Sequence, residues 1–178
     1  MKLTGTNFLS GMKKKRESTK ENIRLSTFRL LSERGYANIS MRDIAAEAGV
    51  ALSQIAYYYH TKEGLISEVA DEAVERFVDG FDAALRASRE DPVAAARSYF
   101  SDTSGKDAAL WRVVLDFVGQ ASWVPAFRES INSFFSRLSA ILEEKLKMSG
   151  ADAVIADASD IIGALFGASV MRMLAAGV

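Results

Sequence analysis

Apolar residues recur along this chain at intervals of three and four, and no segment keeps the strict alternation of a strand. Ile23, Thr27, Leu30 and Leu31 share one face of a helix expected from Ser18 or Thr19 to about Arg34, with Gly35 as its stop. Ser40 begins a second helix, where Ser40 and Asp43 stand three apart as a variant capping box ahead of Ile44, Ala45 and Ala48. "AGVA" (48–51) breaks it at a glycine suited to a left-handed turn, and a short third helix covers about 52–59. Thr61 caps a fourth, from Lys62 to about Ala87, with Leu65, Ile66, Val69, Ala73, Phe77, Phe81 and Leu85 as its apolar stripe. Asp91 and Pro92, a cap and a first-turn proline, open a fifth helix to about Asp102. Three more are expected over 107–122, 125–148 and 151–176, separated by "TSGK", "WVP" and "KMSG". The expected fold is all-α.

The short third helix carries the chemistry. With Ile55 at zero and about 100° per residue, Tyr59 and Leu52 fall on the same inward face. Ser53, Gln54 and Tyr57 face outward, and Ala56 and Tyr58 occupy the flanks. The three consecutive tyrosines therefore divide: Tyr59 packs, Tyr57 faces a partner and Tyr58 reaches sideways. Two helices joined by a glycine turn, the second short, form the arrangement of a DNA-binding helix-turn-helix. Ser and Gln can donate and accept at base edges, while a tyrosine hydroxyl can bond phosphate. Lys62, at the start of the fourth helix, adds an ammonium beside free backbone N–H groups, a setting for phosphate. The plainer alternative is a helical hairpin with exposed tyrosines.

Composition narrows the choice of chemistry. The 178 residues include no cysteine and one histidine, which argues against thiolate metal sites, disulfides, a cysteine nucleophile or a Ser-His-Asp hydrolase. No cofactor and no metal are expected. The net charge of −1 conceals an asymmetry: residues 1–62 carry eleven Lys/Arg against five Asp/Glu, and residues 63–178 carry eleven against eighteen. A basic front and an acidic rear suggest a polyanion partner for the front alone. The start lacks the apolar core of a secretory signal. The run Ile161 to Met171 is short for a bilayer span, so a cytoplasmic protein without a membrane partner is expected.

The run "STFRLLSERGYANISMRDIAAEAGVALSQIAYYYHTKEGLI" resembles the TetR family of bacterial transcriptional regulators over about residues 19–69. The likeness is carried by Gly35, Tyr36, Ile44, Ala45, Ala48, Gly49, Val50, Ile55, Tyr57, Lys62, Glu63 and Leu65. It departs from the family pattern at Tyr58, where histidine is common, at Tyr59, where phenylalanine is common, and at Leu52 and Ala56. The resemblance implies a three-helix DNA-binding domain joined through the fourth helix to a helical ligand-binding and dimerisation domain. On that reading residues 1–17 are a flexible basic arm, 18–62 bind DNA, and 63–178 bind ligand and dimerise. The residues expected at DNA are Ser40, Arg42, Ser53, Gln54, Tyr57, Tyr58 and Lys62, with Tyr58 taking a phosphate role.

Aromatic residues concentrate in the rear, and such a stripe is more often core than pocket. In a TetR-like protein some of these rings line an effector cavity, and Phe81, Tyr99, Trp111, Phe117 and Phe127 are the candidates, with Arg112, Asp116 and Gln120 as orienting polar groups. The last helix is apolar on more than one face and places Gly163, Gly167, Ala164 and Ala168 in pairs four apart. A two-fold four-helix dimer interface fits that pattern, and Phe134, Leu138, Ile162, Phe166, Gly167 and Val170 are expected in it. The rear layout also resembles regulators of choline metabolism within the family, from which no ligand is carried over. The expectation is a non-enzymatic, homodimeric repressor that binds a palindromic operator on double-stranded DNA and is released by a small-molecule effector. A TetR-like activator or nucleoid-associated factor, and an α-helical enzyme or carrier, are the alternatives.

Overall fold

The computed structural model describes residues 5–89, 91–149 and 157–176, with side chains from residue 17 onward. Among these residues there are eight α-helices and no strand. The chain divides into two compact units, residues 1–69 and 70–178, with the boundary inside the fourth helix.

The first unit holds α1 (Gly5–Arg34), a single 3₁₀ turn (Tyr36–Asn38), α2 (Met41–Ala48), α3 (Leu52–Tyr58) and the start of α4 (Lys62–Ala87). α1 begins at Gly5, well before the expected Ser18, so the arm expected to be flexible is helical from that residue on. The physical reason lies in residues 12–17, Met-Lys-Lys-Lys-Arg-Glu, all good helix formers with no breaker among them. Residues 1–4 of that arm, and the side chains of Lys13, Lys14, Lys15 and Arg16, lie outside the described residues. Gly35 stops α1 at φ 74°, a conformation unfavourable for any side chain. α2 has its expected cap, with Asp43 N–H donating to Ser40 Oγ (3.2 Å) and Ser40 N–H donating to Asp43 Oδ2 (2.7 Å). Gly49 takes the left-handed conformation (φ 63°, ψ 33°). Val50 N–H then reaches Ala45 O (3.0 Å) and Gly49 N–H reaches Ala46 O (3.2 Å), the paired bonds of a Schellman turn.

Buried Ile23, Thr27, Leu30 and Leu31 of α1 form the core of this unit with Ile39, Ile44, Ile55, Tyr59 and Leu65. Thr27 satisfies its buried hydroxyl by donating to Ile23 O at 2.8 Å. Polar ties fix the helices further: Asn22 donates to Ala48 O (2.7 Å), Arg29 pairs with Glu47 (2.9 Å), and Lys20 pairs with Glu68 (2.8 Å).

The second unit contains the rest of α4, α5 (Pro92–Lys106), α6 (Ala108–Gln120), α7 (Pro125–Met148) and α8 (Ala158–Ala175). Asp91 caps α5, accepting from Val93 and Ala94 N–H at 2.8 and 3.0 Å. "TSGK" does not separate two helices; it forms the last turn of α5, and the break falls at Asp107, whose carboxylate caps α6 through Leu110 N–H. Residues 151–156, expected to begin α8, lie outside the described residues. α8 itself is long and apolar enough, by length and composition, to cross a membrane, which the shorter run Ile161 to Met171 is not. Its Ala158, Ile162, Leu165, Phe166 and Ser169 are nevertheless buried within the protein.

Candidate nucleic-acid interface

α3 is a seven-residue helix with one buried residue of its own, Ile55, and it ends on buried Tyr59, which is 5% exposed. Those two side chains fix its rotation. Ser53 and Gln54 are exposed, Tyr57 is 64% exposed, and Tyr58 is half-buried with its ring edge-on to Tyr57 at 5.1 Å. The tyrosines thus divide as their angular spacing implies. Tyr59 is braced from two sides, with its hydroxyl 3.5 Å from Glu68 and the Lys20 ammonium 5.4 Å from its ring centre.

Leu52 departs from expectation. Helical phase puts it beside Ile55, yet it is 41% exposed. It is the first residue of the helix, where no preceding turn exists to pack against its side chain. Ala56 is exposed as well. The outward surface of α3 is therefore Leu52, Ser53, Gln54, Ala56 and Tyr57, a mixture of apolar and hydrogen-bonding groups. Leu52 and Ala56 can meet a thymine methyl while the others address base edges or phosphate. Position at the helix start was the signal for Leu52.

Several of these polar groups already hold internal partners. Gln54 Oε1 accepts from Ala51 N–H at 3.2 Å, which caps α3 and leaves the side-chain NH₂ as the group free to address a base. Ser40 donates its hydroxyl proton to Asp43 Oδ2 at 2.5 Å, so it contacts DNA only through its oxygen or by breaking the cap. Those bonds from Ser40 hold the Asp43 carboxyl below its ordinary pKa. Lys62 donates to Tyr36 O at 2.7 Å, and its ammonium lies 4.3 Å from the Tyr36 ring centre. It fastens the start of α4 to the 3₁₀ turn, with two ammonium protons left for a phosphate. Thr61 Oγ1 accepts from Gly64 N–H at 3.0 Å, capping α4. Arg42 is exposed and has no ionic partner among the described residues. His60 is exposed.

The expected effector residues lie in the core of the second unit. Phe81, Trp111, Phe117 and Phe127 are buried and Tyr99 half-buried. They pack on rings: Phe117 on Phe127 at 4.4 Å, Phe81 on Tyr99 at 5.7 Å, and Trp111 on Phe166 at 5.0 Å. Tyr99 donates to Phe77 O at 2.8 Å, and burial pushes its phenol pKa up. Of the orienting groups, Gln120 donates to Asp116 at 3.3 Å and Arg112 is half-buried.

The residues expected at a dimer interface separate into two sets. Phe134, Leu138 and Ile162 are buried inside their own unit and Phe166 is nearly so, at 9% exposed. Gly167 is exposed and Val170 half-exposed. With Gly163, Ala164, Met171 and Leu174, also exposed, they form the outward stripe of α8.

Residues 23–69 match the family described as bacterial regulatory proteins, tetR family. A 69-residue stretch, 39% of this chain, is 33% identical to the HTH-type transcriptional regulator EthR of Mycolicibacterium smegmatis and covers 32% of it. A 60-residue stretch, 34% of the chain, is 35% identical to the probable HTH-type transcriptional regulator YttP of Bacillus subtilis and covers 29% of that protein. The likeness thus spans about a third of the length of these curated relatives. Solved structures extend the likeness in fold. A transcriptional regulator from a Rhodococcus species aligns over 86% of this chain and 83% of its own, at 19% identity and a TM-score of 0.75. A regulator from Saccharomonospora viridis in complex with choline aligns over 86% and 84%, at 22% identity and a TM-score of 0.71.

Proposed function

We propose that this chain, whose residues 23–69 match the family described as bacterial regulatory proteins, tetR family, is a cytoplasmic, dimeric repressor of that kind, released from DNA by a small molecule. The division of α3 carries the reading: exposed Ser53, Gln54 and Tyr57 stand on buried Ile55 and Tyr59. Tyr57 offers a hydroxyl and a ring edge, Gln54 its amide protons, and Ser53 a donor and acceptor, while Arg42 and Lys62 supply charge for phosphates. One such helix reads half a site. Two copies on a palindrome would set their α3 helices in successive major grooves about 34 Å apart.

The outward stripe of α8 supports the pairing of copies. Its glycines and alanines permit close approach, and Val170, Met171 and Leu174 supply apolar area that a lone chain leaves in water. A Cβ built at Gly167 meets nothing within 4 Å, so one chain by itself accommodates a larger residue there. Gly167→Arg would therefore leave the fold intact and put an unpaired charge into the contact between copies. For the effector, a structural neighbour solved in complex with choline is consistent with a small-molecule ligand, and the site is placed here among the aromatic residues of the rear helices. The ligand would part the rings around Phe81, Tyr99, Trp111, Phe117 and Phe127 and favour a state in which the two α3 helices are wrongly spaced.

Fluorescence anisotropy with DNA from the region upstream of the chain's own gene tests the reading. Saturable binding that weakens with salt is expected, as is a loss on the order of tenfold in Tyr57→Ala or Gln54→Ala. Binding indifferent to both substitutions would refute it.

A further inference from the structure

A largely apolar groove at the junction of α5, α6 and α8 carries one cationic side chain. Ser101, Ser104 and Gly105 of α5, Ala108 of α6, and Arg172 and Met173 of α8 line a groove of about 230 Å³. The Arg172 guanidinium is anchored: Nη2 donates at 2.7 Å to the hydroxyl of Ser169, which is fully buried. Its remaining N–H donors have no partner among the described residues, and the nearby acids are engaged elsewhere. Asp102 pairs with Lys106 at 3.0 Å, and Asp107 pairs with Arg76 at 2.5 Å while capping α6. Ala108 is the first residue of α6, whose end the Asp107 carboxylate already caps, so the groove's attraction for an anion rests on the Arg172 guanidinium. A Cβ added at Gly105 meets nothing within 4 Å, so the space over the end of α5 is open.

The same three helices hold an unsatisfied donor one turn away. Trp111 follows Ala108 by three residues, about 4.5 Å along the helix. Its ring contacts Phe100 of α5 (6.3 Å) and Phe166 of α8 (5.0 Å). Its indole N–H is buried without a hydrogen-bond partner, which costs free energy until an acceptor reaches it.

We propose that this groove is a binding site for a short-chain organic carboxylate. The carboxylate pairs with Arg172 near the start of α6, and the alkyl body lies against Met173 and Ala108. The volume falls below the roughly 300–1,000 Å³ of drug-sized pockets, which sets the ligand class as small. This deepens the effector reading and rests on it only for the regulatory consequence, not for the site.

The test is titration of full-length ¹⁵N-labelled protein with sodium butyrate against sodium chloride at equal ionic strength. Saturable movement of the Trp111 indole resonance is expected, with that of Trp123, 83% exposed, unmoved. Arg172→Gln should weaken binding at least about tenfold, since it removes a charge-assisted pair. Gly105→Leu should abolish binding by filling the groove, with the melting temperature unchanged or raised. Absence of saturation, equal affinity for neutral butyramide, or unaltered affinity in either variant would overturn the site. Operator binding is measured alongside. Butyrate that binds without releasing DNA upholds the site and removes its regulatory role; DNA binding without butyrate binding refutes the site and leaves the proposed function standing.

Discussion

Truncating Tyr59 and Tyr57 in turn separates a packing ring from a recognition ring only two residues away. Tyr59 is 5% exposed, its ring capped by the Lys20 ammonium, so Tyr59→Ala deletes an aromatic side chain from the core of the first unit. Such truncations cost about 3–5 kcal/mol. A unit of 69 residues has a total stability of roughly 3–10 kcal/mol at typical values per residue, so the loss removes about three tenths of it or more. Tyr59→Phe keeps the ring and gives up a hydroxyl contact to Glu68 at 3.5 Å, for a cost below about 1.5 kcal/mol. Tyr57→Ala, at a residue 64% exposed, should also stay within about 0.5 kcal/mol. Leu52→Ala belongs with Tyr57 at under about 1 kcal/mol, although helical phase alone would make it a core truncation. Urea unfolding followed by circular dichroism, with DNA affinity measured on the same preparations, reads both effects. A Tyr57→Ala cost above about 2 kcal/mol, or a Tyr59→Ala cost below about 1 kcal/mol, would refute the assigned rotation of α3.

Three further outcomes follow from particular side chains. Gly80→Ala places a Cβ 2.5 Å from the Tyr99 hydroxyl, which is itself bonded to Phe77 O, so thermal melting should show a loss of about 1–3 kcal/mol that Tyr99→Phe partly restores. The Arg137 guanidinium holds the Glu75 carboxyl below its ordinary pKa. The pair's contribution is therefore present above the unfolded pKa of about 4.3 and is lost as pH falls through the lower folded value. Wild type and Glu75→Gln should differ by a small, salt-screened amount at neutral pH and converge in acid, as urea melts across that range would show. Deleting residues 1–16 removes Lys2, Lys13, Lys14, Lys15 and Arg16. The slope of log K against log salt should then flatten by about 0.9 for each phosphate that the segment neutralises, and an unchanged slope would make it a bystander at DNA.

Helix ends that carry their own chemistry could be read from the sequence. Ser40 with Asp43, Gly49, Thr61, Asp91 with Pro92, and Pro125 each satisfy or forbid specific backbone bonds, and the helices start or stop beside them. Boundaries set by propensity alone were less legible. Nothing in residues 5–17 marks a start, and "TSGK" looks like a breaker until Asp107 supplies the better cap. The division of the tyrosines followed from angular spacing, because Ile55 fixes the phase; Leu52 escaped it because a first-turn residue has no turn behind it. Apolar pattern also cannot say which neighbour buries a residue. Phe134, Leu138, Ile162 and Phe166 serve their own core, while the stripe through Gly167 and Leu174 stays uncovered. The internal commitments of Gln54, Ser40 and Lys62 were not legible either, since each depends on an atom whose position the fold decides.

The central claim, that two copies present paired α3 helices to a palindrome, is tested most directly by selecting DNA from a random pool and measuring the mass of the complex. The expected result is an enriched inverted repeat with half-sites about one helical turn, or a multiple of it, apart. An even number of chains should occupy each site, and both features should disappear in Gly167→Arg. Selection without an inverted repeat, or a single chain bound to each site, would contradict the claim.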